Sequence, residues 1–420
     1  MNKENIKVFI DFGSSKIRLG VFSNEISKST IILEEDCISN LSLKKLDLNN
    51  SREVINNLIK SAEKKINMHI KNINLMIDSP DIFSIDFSIK NSSDKKKYSK
   101  NDVYSLINEA KSIAQKNYID QKVIHVIVKK FSFDDQEFFE IPDKEINYTS
   151  LEIELKFICL PIITWQNLQE CFNFNHLKID NLYCSSYVKS TNYNSIFENY
   201  KRKVFLDIGY GKSAITAFED KRVLYFNILP VGGKHITNDI AALLKVNNNE
   251  AENFKKSLNQ SETTFEEKIN KDEKINSNDF INQIVFARVD EIIKLNLTEE
   301  YFNTFLSSNN ENCILVFIGN GSRILNKNSI YLEEKFDFFK EINFFEENSK
   351  SICQSAYNFV QMNKSQEVNF VTKKPRNKGF FEKLFHLFDW LLYFLVTFVE
   401  FFWTVLKCKN LKCHFLAKKL

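Results

Sequence analysis

Several familiar signatures are missing from this sequence. It has eight cysteines but no CxxC pair, and six histidines but no HExxH motif or Cys/His cluster, so no structural zinc is expected. No cleavable leader opens the chain, where Met1-Asn2-Lys3-Glu4 is polar, and the expectation is a reduced cytosolic protein with thiols in its core. A Walker loop is absent as well, because Gly211-Lys212-Ser213 matches only the last three letters of GxxxxGK[ST]. Net charge is small at +3, which argues against a protein built to coat nucleic acid. The sharpest shortage is glycine: nine residues, where ordinary usage would supply about 29.

What remains is an ordinary globular composition, 43% apolar and 26% charged, in a chain of 420 residues. Disordered, collagen-like and polytopic membrane classes are excluded, and the length allows two to four units. Charge is divided unevenly. Gln361–Leu420 carries eleven Lys/Arg against four Asp/Glu, whereas the preceding residues carry 46 against 50. A basic, aromatic-rich tail on a slightly acidic body is expected to meet a negative surface.

The surviving glycines fall in pairs: Gly13 and Gly20, Gly209 and Gly211, Gly232 and Gly233, Gly319 and Gly321, with Gly379 alone. Glycine resists replacement where φ is positive or where a backbone closely approaches another group, so these places read as loops converging on one ligand. Two of them repeat. Val8-Phe9-Ile10-Asp11-Phe12-Gly13-Ser14-Ser15-Lys16 overlays Val204-Phe205-Leu206-Asp207-Ile208-Gly209-Tyr210-Gly211-Lys212 at a constant offset of 196. Each copy runs as a strand to an Asp, turns on small residues, and returns as a second strand (Ile17–Phe22, Ala214–Phe218). The duplication implies two similar α/β halves facing each other.

Such turns suit a phosphate clamp. Free backbone N–H groups make an anion nest, and an Asp at each strand end, Asp11 and Asp207, would hold the water shell of Mg²⁺. A third stretch, Ile314-Leu315-Val316-Phe317-Ile318-Gly319-Asn320-Gly321-Ser322, reads as a buried strand that breaks on Gly-x-Gly and enters a helix. Gly319, Gly321 and Ser322 are expected to hold the adenosine end of a nucleotide.

At these residues the chain resembles the actin/Hsp70/sugar-kinase superfamily, and within it the FtsA family of bacterial cell division. Pro230-Val231-Gly232-Gly233-Lys234-His235-Ile236-Thr237-Asn238-Asp239-Ile240-Ala241 is similar to that family's PxGGxxxTxDIA segment. Glu250–Lys255 resembles its AExxK helix, and Ala287–Ile292 its ARxxEI helix. The segment bracketed by Pro80 and Pro161 resembles the family's 1C subdomain. There, Ser99 reads as the N-cap of a helix through Gln115, and Val123–Ile127 and Leu151–Leu160 read as strands. Several features depart from the family. Val128 stands for a proline, and Ile141–Lys144 for a Gly-containing loop. Lys212 stands where a small polar residue is usual, and Tyr210 is bulky. The family's Arg-Ile-Gly-x-Pro stretch is not recognisable after Gly321.

The resemblance implies a two-lobed actin-like α/β fold of duplicated ribonuclease-H-like halves, with an inserted α+β subdomain and a C-terminal membrane helix. Lobe 1 would take residues 1–80 and 161–200, the insertion 81–160, lobe 2 201–360, a linker 361–378 and the tail 379–420. ATP and Mg²⁺ are the implied cofactors, held by Asp11, Gly13, Ser14, Ser15, Lys16, Asp207, Gly209, Gly211, Lys212, Gly232 and Gly233, with hydrolysis weak or absent. The implied partners are the FtsZ C-terminal peptide, bound between about Val246 and Leu325, a second copy of the chain, membrane lipid, and later division proteins through the insertion. No nucleic-acid partner is expected. The implied place of work is the cytoplasmic face of the bacterial inner membrane, at the septum. Rival readings are a pilus-assembly actin homologue or a sugar or small-acid kinase. An Hsp70-type chaperone would need a longer C-terminal domain.

The tail agrees on physical grounds. Phe381, Leu384, Phe385, Phe388, Leu391, Leu392 and Leu395 recur at helical spacing, with Trp390 adding an amphipathic aromatic, opposite Glu382, Lys383, His386 and Asp389. Basic flanks would be drawn to anionic lipid. Leu387–Leu406 has the roughly 20 residues needed to cross a bilayer, with Glu400 inside it, so spanning and embedded readings both stand.

Overall fold

A hairpin formed twice organises the molecule. In the first copy, β1 (Ile6–Phe12) turns through Gly13–Ser15 into β2 (Lys16–Ser23), pairing Ile6 with Ser23 and Asp11 with Arg18. These are central strands, and β1 is buried from Val8 to Phe12, as a strand covered on both faces must be. The chain continues through β3 (Ile31–Asp36), α1 (Leu48–Ile66) and β4 (Asn72–Ile77), and sheet order is completed by β9 (Lys178–Cys184): β3-β2-β1-β4-β9. The second copy is β10 (Arg202–Ile208) and β11 (Ser213–Glu219), where Arg202 pairs with Glu219 and Asp207 with Ala214. Adding 196 to the first register gives the second, pair for pair. With β12 (Arg222–Leu229), β13 (Cys313–Ile318) and β14 (Glu341–Phe344) the second sheet runs β12-β11-β10-β13-β14, the same order as the first. In each sheet the central strand pairs in parallel with the fourth, and the fourth with the fifth.

This computed structural model describes residues 6–23, 31–37, 48–142, 146–257, 277–297, 312–328 and 339–362. All of these fall within one compact unit. The expected linker beyond Met362 and the tail residues Phe381, Leu384, Phe385, Phe388, Trp390, Leu391, Leu392 and Leu395 lie outside the described residues. Among the described residues, no helix is long and apolar enough to cross a membrane. The six described cysteines are all buried, and none is joined in a disulfide.

Between the first sheet's fourth and fifth strands sits a separate antiparallel sheet, β5-β8-β6-β7, built from β5 (Phe83–Lys97), β6 (Gln121–Phe133), β7 (Gln136–Phe138) and β8 (Asn147–Pro161). Against it lies α2 (Lys100–Asn117), with Val103, Leu106, Ile107, Ala110 and Ala114 buried at helical spacing. Its expected cap is present. Asn101 N–H donates to the Ser99 hydroxyl (3.2 Å), and Ser99 N–H donates to the Asp102 carboxylate (3.1 Å). The insertion is fastened to the first sheet through buried His125, whose Nε2 accepts the Cys184 N–H at 2.8 Å.

Alternating residues of the second sheet feed two cores. Phe205, Ile314, Val316 and Ile318 face a core shared with the first sheet, whereas Val204, Leu206, Ile208, Leu315 and Phe317 face a second. The second core is closed by α5 (Gly233–Leu244), α6 (Asn248–Ser257) and α7 (Ser277–Asn296). On the other face, α4 (Ser185–Asn194) packs beside α8 (Ser349–Met362), and α8 also covers β1 and β2. The helix expected after the Gly-x-Gly break is a 3₁₀ helix, Asn320–Asn328. Gly319 O accepts from both Ser322 N–H (3.2 Å) and the Ser322 hydroxyl (2.7 Å), which winds the turn tight.

Gly20 explains itself through α8. A β-carbon there would lie 2.7 Å from Cys353 Cβ and 2.7 Å from the Phe22 ring, so the helix is seated directly on the β2 backbone. Gly20→Ala is expected to cost about 1–3 kcal/mol by overpacking. A urea midpoint equal to that of the unmodified chain would show that α8 does not rest there.

Candidate functional site

Six strand ends meet in one place. The carboxyl ends of the parallel strands present Asp11, Asp78 and Ser185 from the first sheet, and Asp207, Gly319 and Glu347 from the second. Crevices outside such ends are where open α/β sheets take ligands. The two repeat turns face each other here, since a β-carbon on Gly211 would lie 3.2 Å from Ser14 Oγ.

The turns share internal bonding. Gly13 N–H donates to Lys16 O (3.1 Å), and Gly209 N–H to Lys212 O (2.9 Å). Other glycines press upon the second turn. Gly233 N–H donates to Gly209 O (2.9 Å), and β-carbons on Gly232 and Gly321 would collide with Gly209 O at 2.7 and 2.9 Å. Gly319 has φ +86°, and a β-carbon there would lie 2.5 Å from Ile208 O and run into the Asp207 carboxylate. Only glycine tolerates both constraints. Of the residues expected to face a ligand, Asp11, Ser14, Asp207, Gly209, Gly211, Lys212, Gly232, Gly233, Gly319 and Gly321 thus gather at one place. Ser322 is buried alongside with its hydroxyl spent on Gly319 O, and the Ser15 carbonyl is tied to Cys37 N–H (3.0 Å).

Lys16 turns away. Its ammonium pairs with Glu34 (2.7 Å) and Asp36 (3.6 Å), with 29% of the side chain exposed. Its counterpart in the repeat behaves differently. Lys212 is 9% exposed and its ammonium has no hydrogen-bond partner. Burial lowers the pKa of that ammonium, against the opposing fields of Asp78, Asp11, Cys184 and Asp207.

The carboxylates expected to face a hydrated cation are engaged by protein donors. Asp11 accepts from Arg18 (2.8 Å) and from the Ser185 hydroxyl (2.9 Å). Asp207 lies 2.5 Å from the Lys189 ammonium, which also reaches Glu347 at 3.2 Å. Glu347 further accepts Gly319 N–H (2.8 Å) and the Tyr193 hydroxyl (2.9 Å). Burial raises Asp207 to about 6 against the pull of Lys189. Burial also opposes the Lys189 charge, but Asp207 and Glu347 outweigh it and hold its pKa well above the ordinary lysine value.

Asp78, Lys189, Arg18 and Glu347 escaped the sequence reading. Three lie outside the repeated turns. Arg18 lies within the first copy but matches Ala214 at the same offset, and that replacement of a small apolar residue by a charge was the available signal. For Asp78 and Glu347 the signal was the strand itself, since each follows an apolar run closely.

The segments of the second half that resemble family motifs lock onto one another. Lys255 donates to Gly233 O (3.0 Å), Thr237 Oγ1 (2.7 Å) and Glu252 (2.5 Å), fixing α6 to the glycine turn. Arg288 grips Asp239 with two bonds (2.6 and 2.9 Å), fixing α7 to α5.

A family model described as "Cell division protein FtsA" matches residues 204–358. The chain is 24% identical over 309 residues to the cell division protein FtsA of Bacillus subtilis (strain 168), covering 70% of this chain and 69% of that one. It is 26% identical over 267 residues to the FtsA of Borreliella burgdorferi, covering 60% and 61%. Among solved structures, a chain of the PilM-PilN type IV pilus biogenesis complex superposes with a TM-score of 0.54 at 13% identity, over 84% of this chain and 95% of that one. The fold is therefore the actin-like one.

Lys189→Met would strand Asp207 and Glu347 as buried carboxylates without their cation. It is expected to destabilise the chain by about 3–5 kcal/mol. Chemical denaturation at neutral pH measures this, and a loss below about 1 kcal/mol, the range of an exposed pair, would contradict the role given to Lys189.

Proposed function

Because the chain belongs to the FtsA family, we propose that it is an ATP-binding actin-like cell-division protein that tethers FtsZ filaments to the inner face of the cytoplasmic membrane. The observation that carries the nucleotide half of this reading is the meeting of the two repeat turns. Ser14 faces Gly211 where the strand ends of both sheets converge, close enough that an added β-carbon on Gly211 would lie 3.2 Å from Ser14 Oγ. The buried Lys212 ammonium there has no partner. A buried donor of that kind suits an anionic phosphate. The adenosine end would lie toward Gly319–Ser322. Closure of the lobes on the ligand would shift the population toward the form that assembles with further copies of the chain.

Binding is favoured over catalysis. Asp11 and Asp207 are ion-paired, and Asp78 accepts from Ser186 N–H (3.0 Å) and the Ser186 hydroxyl (2.6 Å). Each of the three is thus held by protein donors, which favours a holding role over phosphoryl transfer to a sugar or small acid.

The membrane half rests on the sequence of the tail, with its apolar stripe from Phe381 to Leu395 and basic flanks. The FtsZ peptide would dock on the second lobe between about Val246 and Leu325, and the insertion would serve later division proteins. Full-length protein is expected to recruit FtsZ filaments to anionic vesicles. Removal of residues 379–420 should abolish recruitment yet leave FtsZ binding in solution intact. Undiminished recruitment by the truncated chain would refute the tether.

A further inference from the structure

We infer that this cleft grips a polyphosphate without a divalent cation, the Lys212 ammonium supplying the positive charge at the facing turns. The inference rests on the nucleotide reading above and deepens it.

The argument begins with the carboxylates. A hydrated Mg²⁺ needs carboxylate oxygens free to receive its coordinated waters. Here Asp11 Oδ2 is on Arg18 and Oδ1 on Ser185, while Asp207 Oδ2 is on Lys189. Asp78 uses Oδ1 for Ser186 N–H and the Cys184 thiol (3.3 Å), and Oδ2 for the Ser186 hydroxyl. Glu347 is divided between Lys189, Tyr193 and Gly319. Among the described residues Asp207 Oδ1 carries no protein donor, but a metal bound through it would share its carboxylate with the Lys189 ammonium. One bound at Asp11 would share with Arg18, and both of these cations are buried. A second cation on these carboxylates would crowd the buried Arg18 and Lys189 charges, and like charges are costly to hold together in an interior. The residues present therefore do not fit a divalent ion.

Lys212 supplies what the metal would have supplied. It springs from the second turn, and its ammonium lies within the field of Asp78 and Asp11, which belong to the first sheet. Its turn meets the first copy's turn where an added β-carbon on Gly211 would lie 3.2 Å from Ser14 Oγ. Were it a structural counter-ion to Asp78, burial of this depth would demand a direct bond, as Lys189 makes with Asp207. No such bond is made. Lys16, the same residue in the first copy, sits at the surface and finds Glu34. The contrast singles out Lys212 as a buried donor awaiting an acceptor, and an ammonium carries three donors. Its acceptor must be anionic, bear several oxygens, and reach between two glycine-bearing turns. A terminal phosphate of a nucleoside di- or triphosphate has those properties.

The test compares binding of fluorescent ATP to the full chain in Mg²⁺ and in EDTA, with inorganic triphosphate as competitor. Affinity in EDTA should lie within about threefold of that in Mg²⁺, and Lys212→Met should lower it by about tenfold or more in EDTA, the worth of a charged hydrogen bond. Lys212→Arg should retain most of the affinity. Removing an unpartnered buried charge should also leave the ligand-free Lys212→Met chain at least as heat-stable as the parent. Parent binding that needs Mg²⁺, Lys212→Met binding unchanged in EDTA, or a marked drop in melting temperature would each overturn the inference while leaving the nucleotide reading intact. No ATP binding under either condition would overturn both.

Discussion

A single ammonium, that of Lys189, pairs with two buried carboxylates at once, and the arrangement of the cleft follows from it. The residue stands on α4, which leaves the last strand of the first sheet, and both of its partners, Asp207 and Glu347, belong to the second. It therefore ties the halves together at the point where their strands end. Glu347 passes the constraint on to Gly319, and Gly319 packs upon Asp207. These contacts close a ring around the second turn. Charge burial of this sort is costly unless every group is satisfied, and in this ring Lys212 is the group left over.

Much of this architecture was legible. The constant offset of 196 anticipated two hairpins, and the register repeats at that offset in every pair. The Ser99 cap lies where the residues put it, and α6 under the Glu250–Lys255 motif and α7 under Ala287–Ile292 lie where the family resemblance put them. Boundaries were looser: the strand read at Val123–Ile127 extends from Gln121 to Phe133.

What was hidden was hidden for a physical reason. Ion pairs across a cleft join residues far apart in the chain, such as Lys189 with Glu347, and periodicity carries no record of them. The 3₁₀ turn after Gly319 depends on a hydroxyl folding back on one carbonyl, a choice that composition does not encode. Lys16 and Lys212 are identical letters at equivalent positions. Only their surroundings, Glu34 in one case and the interior in the other, separate them.

The eight glycines within the described residues share a further trait. At each, an added β-carbon would meet another atom within 3.5 Å, and at five of them within 3.0 Å. At those five a side chain would force its surroundings to move. Four of the five border the facing turns, so the cleft is the part of this molecule with the least room for larger residues at its glycines.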